Sequence, residues 1–249
     1  MEKISLPANL TFEKGKNENE SIISIWPCFP GYGTTIGNAL RRVLLSSLEG
    51  AAITSFKVKG AQHEFSALQN VKEDLVEISL NLKKVRLKLH GDEPQKIQIS
   101  VKGAKIVKAG DIKTPSQVEV VNKDLVLANL TEKDAELEME MTVKKGRGYI
   151  TTESREKEET EVGQINIDAI YSPIVNVGFK LENVRVGQMT NFDKLLITLE
   201  TDGTITTQEA LKQSTQILME HFNYIDSSIL AGKEETKKTK KSKKEKDEK

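Results

Sequence analysis

Apolar residues recur along the chain at two periods. Leu137, Met139, Met141 and Val143 alternate with Glu136, Glu138, Glu140 and Thr142, the period-two pattern of a strand with one buried and one wet face. Elsewhere the period is helical. Across residues 31–48, at about 100° per residue, Ile36, Ala39, Leu40, Val43, Leu44 and Leu48 fall on one broad arc, which predicts a helix with that arc against a core. The glycines ahead of it loosen the backbone, and Thr34 or Thr35 is placed to cap its first turn. Asn38, Arg41, Arg42 and Leu45 fall on the opposite side. Val71, Leu75, Ile78 and Leu82 predict a second helix over 71–82. A last helix follows an Asp202-Gly203 turn and a capping box of Thr206 with Glu209. In it Leu211, Leu218 and Ile225 recur by sevens, with Ser214, Ile217, His221 and Phe222 on the same side.

Between these helices the pattern is one of short strands. Leu10–Glu13 and Ser21–Pro27 flank GKNENE, a turn-forming stretch, and read as a strand pair. AAITSFKVKG, VRLKLHG and KIQISVKG each end at or near a glycine, and GQINIDAIYSPIVNVGF, ENVRV and KLLITLETDGTI resume the strand pattern after Gly163. TTESREKEETEV (151–162) is charge-rich and reads as an exposed, mobile loop. The mixture predicts an α+β protein, whose 249 residues suffice for one large domain or two modest ones.

Composition adds three constraints. No stretch approaches the roughly 18 apolar residues of a membrane span, and MEKISLPANL has neither a basic region nor an apolar signal core, which points to the cytoplasm or its organellar equivalent. Cys28 is the single cysteine, so neither an intrachain disulfide nor a cysteine-rich metal site can form; between Pro27 and Pro30 it reads as a small packed hydrophobe. The net charge of zero is unevenly spread: residues 233–249 hold nine lysines and five acidic residues, +4, which leaves −4 for the body. Beyond Gly232 the Lys, Glu, Ser and Thr composition builds no core and predicts disorder, either as a solubilising tail or as a salt-sensitive arm for nucleic acid.

Candidate chemistry is sparse. His63, His90 and His221 lie far apart in sequence, outside any metal or triad motif. KKGRGY (144–149) lacks the spacing and the following Lys-Ser/Thr of a phosphate loop, and reads as a loop exposing Arg147 to a protein or as a bulge at a strand end. The alternating glutamates read as a solvated, edge-protecting face and not a metal site. No catalytic residue, metal or cofactor is expected. What stands out is the 31–48 helix: two arginines and an asparagine around a leucine are either a solvated face or a protein interface.

GYGTTIGNALRRVLLSS (31–47) resembles the signature helix of the bacterial and plastid RNA polymerase alpha subunit family. The resemblance continues, in the family's order, through HEFSALQNVKEDLVEISLNLK (63–83), KKGRGY (144–149), DAIYSPIVNVGF (168–179) and TNFDKLLITLETDGTITTQEAL (190–211). It covers nearly everything to about residue 230. It implies a discontinuous dimerisation domain (1–49 with 174–230; an antiparallel sheet plus two main helices) interrupted by a strand-rich inserted domain (50–173). It implies a homodimer that nucleates assembly of the beta and beta-prime subunits, and through them omega and sigma, on promoter DNA that it meets only indirectly. Asn38, Arg41, Arg42, Leu45, His63, Glu64, Phe65 and Ser66 would then meet beta. Ser172, Pro173, Val175, Val177, Asn191, Asp193 and Lys194 would meet beta-prime. The dimer interface would use Ile36, Leu40, Leu44, Leu211, Leu218, Phe222 and Ile225. Family members usually carry a further helical domain that reads upstream DNA; here a lysine-rich stretch stands in its place. Two other readings compete: a homodimeric adaptor outside the polymerase, and the related archaeal and eukaryotic subunit, against which the single cysteine and GYGTTIGNALRR speak.

Overall fold

The computed structural model describes residues 4–61, 63–155 and 163–244, with 230–244 as backbone alone. It is α+β. In chain order the elements are β1 (Asn9–Lys14), β2 (Glu20–Cys28), α1 (Tyr32–Ser46), β3 (Glu49–Val58), α2 (Leu75–Leu82), β4 (Leu87–Leu89), β5 (Gln95–Lys102), β6 (Lys105–Lys108), β7 (Val118–Val120), β8 (Val126–Leu130), β9 (Glu136–Arg147), β10 (Tyr149–Ile150), β11 (Ile165–Asn166), β12 (Ala169–Ile170), β13 (Ile174–Val186), β14 (Met189–Thr201) and α3 (Thr207–Lys244).

The two ends of the chain meet in one antiparallel sheet, ordered β1-β2-β14-β13. One face of it carries Ile23, Leu195, Ile197 and Leu199, and α1 and α3 cover that face with Leu40, Leu44, Ala210 and Leu211, joined by Leu48 just after α1. Each large side chain so buried contributes about 1.5–3 kcal/mol. A separate core lies in the middle of the chain, where the sheet β5-β9-β3-β4-β7 packs Phe56, Ile97, Leu137, Met139 and Met141 with Leu75, Ile78 and Leu82 of α2. No helix among the described residues is long and apolar enough to cross a membrane.

The alternation in β9 is real, with Leu137, Met139, Met141 and Val143 buried. Its glutamate row does not protect an edge, because β9 lies between β5 and β3. Instead Glu136, Glu138 and Glu140 pair with Lys102, Lys59 and Lys96 at 2.8, 2.8 and 2.7 Å, the cross-strand matching a central wet face favours. The strand also takes in most of KKGRGY. Arg147 therefore sits opposite Glu49 and pairs with it at 2.5 Å, so its guanidinium is already engaged. The second helix begins four residues later than its periodicity suggests. Asp74 accepts the Glu77 N–H at 2.7 Å and caps α2, while Lys72 donates its N–H to the Asn129 carbonyl and Val71 bridges Leu130, so the backbone at 71–72 is spent on β8.

Of the stretch 151–162, residues 156–162 lie outside the described residues, but its start is anchored. Arg155 donates to the carbonyls of Thr54 and Ile167, and the Thr152 N–H reaches Asp168 at 2.9 Å. β13 runs unbroken from Ile174 to Val186 where the sequence suggested two strands. The backbone of α3 continues to Lys244, past Gly232 where composition predicts the end of order; residues 245–249 lie outside the described residues.

Where the chain passes between its two cores, the backbones crowd. Gly50 of β3 and Gly146 of β9 are cross-strand partners, and Tyr171, 4% exposed, lies against both. A Cβ on Gly50 would stand 1.9 Å from the Tyr171 carbonyl oxygen, and one on Gly146 2.7 Å from its ring. Nearby, Asp168 holds Lys83 at 2.9 Å beside its bond from Thr152. The lysine, then that N–H, hold its carboxyl down to about 2.

Two outcomes follow. Gly50→Ala should lower stability by about 1–3 kcal/mol in urea unfolding, since backbone cannot yield as a side chain can; an unchanged midpoint contradicts the crowding. Asp168 has a folded-state pKa below its unfolded one, so its contribution is complete above about pH 4 and disappears as pH falls towards 2. Asp168→Asn should therefore cost about 1 kcal/mol at neutral pH, discounted for solvent, and nothing near pH 2; an equal loss at both pH values contradicts the ion pair.

Candidate functional site

The helix singled out by its arginines is held by two devices. Gly31, at φ +86°, turns the chain into α1, and neither Thr34 nor Thr35 caps it. Thr35 instead donates its hydroxyl back to the Gly31 carbonyl at 3.4 Å. The cap comes from β14: Asp193 accepts the Gly31 and Gly33 N–H groups at 2.9 and 3.1 Å. A carboxylate at a helix N-terminus satisfies orphan donors and opposes the positive end of the dipole, and only tertiary structure reveals one supplied from 160 residues away. The second device is close approach. A Cβ on Gly33 would lie 2.6 Å from Leu181, and one on Gly37 2.8 Å from Phe179, so both glycines let α1 settle directly on β13 and β14. The glycines of this motif thus serve packing inside the helix as well as the turn before it. Cys28 lies beneath, fully buried, its thiol pKa pushed up first by burial and then by the Asp193 charge, and its Sγ 3.6 Å from the Ile25 carbonyl. That leaves it a packed hydrophobe.

With one face so fixed, the other is open. Asn38, Arg41 and Arg42 are exposed and Leu45 is 42% exposed. Neither guanidinium has a hydrogen bond or ion pair with another described residue. The other half of the expected beta contact, His63–Ser66, lies beyond β3 on the unit with the second core. There Ser66 Oγ meets His63 Nδ1 at 3.2 Å, Ser66 N–H closes a turn on the His63 carbonyl, and Glu64 and Phe65 point outward, Phe65 76% exposed.

The expected beta-prime residues fall into two places. At the start of β13, Ser172 accepts the Ile174 N–H at 3.3 Å, Pro173 and Val177 are buried, and Val175 alone stands out. Near the other end of the hairpin, Asn191 is exposed, Asp193 is the α1 cap, and the Lys194 ammonium sits 5.3 Å from the Trp26 ring centroid. Val184 pairs with Phe192, so roughly 30 Å of strand separates Val175 from Asn191. Pro173 and Val177 serve the protomer's own core, and the spacing of these residues in sequence carries no sign of it.

The expected dimer residues also divide. Leu40, Leu44 and Leu211 are 5, 0 and 7% exposed and belong to the protomer's interior, with Ile36 and Leu218 half-buried at its margin. Phe222 and Ile225 are exposed, and so are Met219, Tyr224 and Ile229, which sequence reading did not single out. The same stripe that packs on the sheet at Leu211 runs past the sheet and goes uncovered. Tyr224 falls outside the heptad count, and Ile229 follows Ile225 at the i+4 spacing that would have found it.

A two-core α+β chain with a strand-rich unit set into a sheet-and-helix unit is the class this fold defines. The inserted unit matches the family model described as RNA polymerase Rpb3/RpoA insert domain over residues 54–172. Among its relatives, each a DNA-directed RNA polymerase subunit alpha, that of Roseiflexus castenholzii is 50% identical over 204 residues, covering 82% of this chain and 62% of that protein. That of Carboxydothermus hydrogenoformans is 47% identical over 218 residues, covering 85% and 69%. That of Clostridium perfringens is 45% identical over 246 residues, covering 96% and 78%. The chain belongs to the bacterial DNA-directed RNA polymerase alpha subunit family. It spans under two thirds of the first of these relatives and more of the other two.

Removing the distant cap should show in stability. Asp193→Ala is expected to cost about 0.5–2 kcal/mol in chemical unfolding, with Asp193→Asn costing less because its side-chain oxygen still accepts. Equal stability of all three proteins contradicts the cap.

Proposed function

We propose that this chain is a homodimeric, non-catalytic assembly subunit of a cytoplasmic RNA polymerase, one that organises the beta and beta-prime subunits and, through them, omega and sigma. The single observation that carries the reading is the presence of two open surfaces on helices packed over the same sheet: the unpartnered Asn38-Arg41-Arg42-Leu45 face of α1 and the uncovered apolar stripe of α3. The first suits a partner with carboxylates or carbonyls around an apolar hollow, since arginine donates from a planar fork and leucine anchors. The second suits another copy of itself. Residues 1–49 with 174–230 act as the dimerisation domain and 50–173 as the insert, a division in keeping with the two cores and with the matched 54–172. The turn at His63–Ser66, with His63, Glu64 and Phe65 exposed, supplies a further beta contact, and Val175 with Asn191 and Lys194 supply separate beta-prime contacts along β13–β14.

A scaffolding role also fits the titratable groups. Asp111, Glu136, Glu140 and Asp168 have carboxyl pKa values lowered chiefly by a lysine neighbour, Lys105, Lys102, Lys96 and Lys83 respectively. These are structural ion pairs, not acids and bases poised over a substrate.

Native mass after co-expression of this chain with the beta and beta-prime subunits of its own source tests the reading. A complex with two copies of this chain is expected, and Arg42→Ala should weaken the beta contact by about 2–5 kcal/mol by stranding a buried acceptor, stalling assembly at the free dimer. A dimer that ignores both large subunits would overturn the polymerase role and leave an adaptor.

A further inference from the structure

Downstream of the apolar stripe, α3 enters KKTKKSKK (237–244), six lysines in eight residues with no carboxylate among them. The body of the chain carries −4 and the segment from Lys233 onward +4, so positive charge is gathered in one place. The backbone there continues the same helix. At about 100° per residue, positions 237, 240, 241 and 244 fall within one arc of about 100°. Thr207–Lys244 spans 38 residues, about 57 Å of helix, so the backbone of 237–244 begins about 45 Å along the helix axis from Thr207.

We infer that residues 237–244 bind the phosphate backbone of duplex nucleic acid without regard to sequence. A lysine is a compact point charge that neutralises phosphate and carries no base-reading fork, and the segment has neither aromatic nor arginine to stack on or read a base. Its i, i+3, i+4, i+7 placement lines charges along one side of a helix, the geometry of a basic strip laid beside a duplex. Duplex DNA is the polyanion favoured over an anionic membrane because the segment lacks the aromatic and leucine face that seats a helix in lipid, and because the relatives it matches are named as subunits of a DNA-directed polymerase. The inference draws on family membership and charge and not on the assembly contacts, so each can fail alone.

Fluorescence anisotropy of the full chain with a labelled random-sequence duplex tests it, against Lys237→Gln/Lys240→Gln/Lys241→Gln/Lys244→Gln. If the four lysines each displace a counterion, raising salt from about 50 to 200 mM should weaken the parent roughly a hundredfold, and the variant's log–log salt slope should be shallower by about 3–4. The urea midpoint of the variant should match the parent, since these residues belong to neither core. Equal affinity and slope in the two proteins would overturn the inference. So would lysine-dependent binding to phosphatidylglycerol–phosphatidylcholine vesicles tighter than to DNA at the same salt.

Discussion

The seat of α1 on β13 and β14 is the constraint from which the rest of the structure follows. Two glycines on one face of the helix remove the side chains that would hold it off the sheet, and a carboxylate from β14 locks its first turn. Once the helix is fixed in rotation, Leu40 and Leu44 must point inward and Arg41, Arg42 and Leu45 outward. The helix also delivers the chain into β3, and so into the inserted unit, with no room for slack: Glu49 and Gly50 already sit in register with Arg147 and Gly146.

The second crowded point, Gly50 and Gly146 around Tyr171, works in the same way. Both junctions exchange side-chain volume for backbone proximity, and that exchange makes the relation between elements stiff. Stiffness suits a scaffold. In the proposed role, one surface meets a second copy and another a larger partner, and holding the two at a fixed angle would keep the cost of ordering on binding small.

The fold class, the strand of alternating glutamates, the capping box at Thr206 with Glu209 and the outward face of α1 were all legible in the sequence, because each is set by local spacing. Thr206 and Glu209 do exchange their hydrogen bonds, at 3.2 Å in each direction. What escaped was non-local. Asp193 as the cap of α1, the central place of β9 and the burial of Pro173 and Val177 depend on which strands become neighbours. The residues expected at a dimer interface show the boundary well. Periodicity places Leu211, Leu218 and Ile225 on one stripe, but only the extent of the sheet decides where along that stripe the protomer's own cover ends.

That uncovered stretch is the centre of the account, and the mass of the full chain in solution by light scattering, beside a Phe222→Glu/Ile225→Glu variant, tests it most directly. Twice the 27.8 kDa of one chain is expected for the parent and a single chain mass for the variant, with its far-UV circular dichroism unchanged because both residues are exposed on the single chain. A parent that remains a monomer at assay concentrations, or a variant that remains a dimer, would contradict the claim that a second copy covers α3.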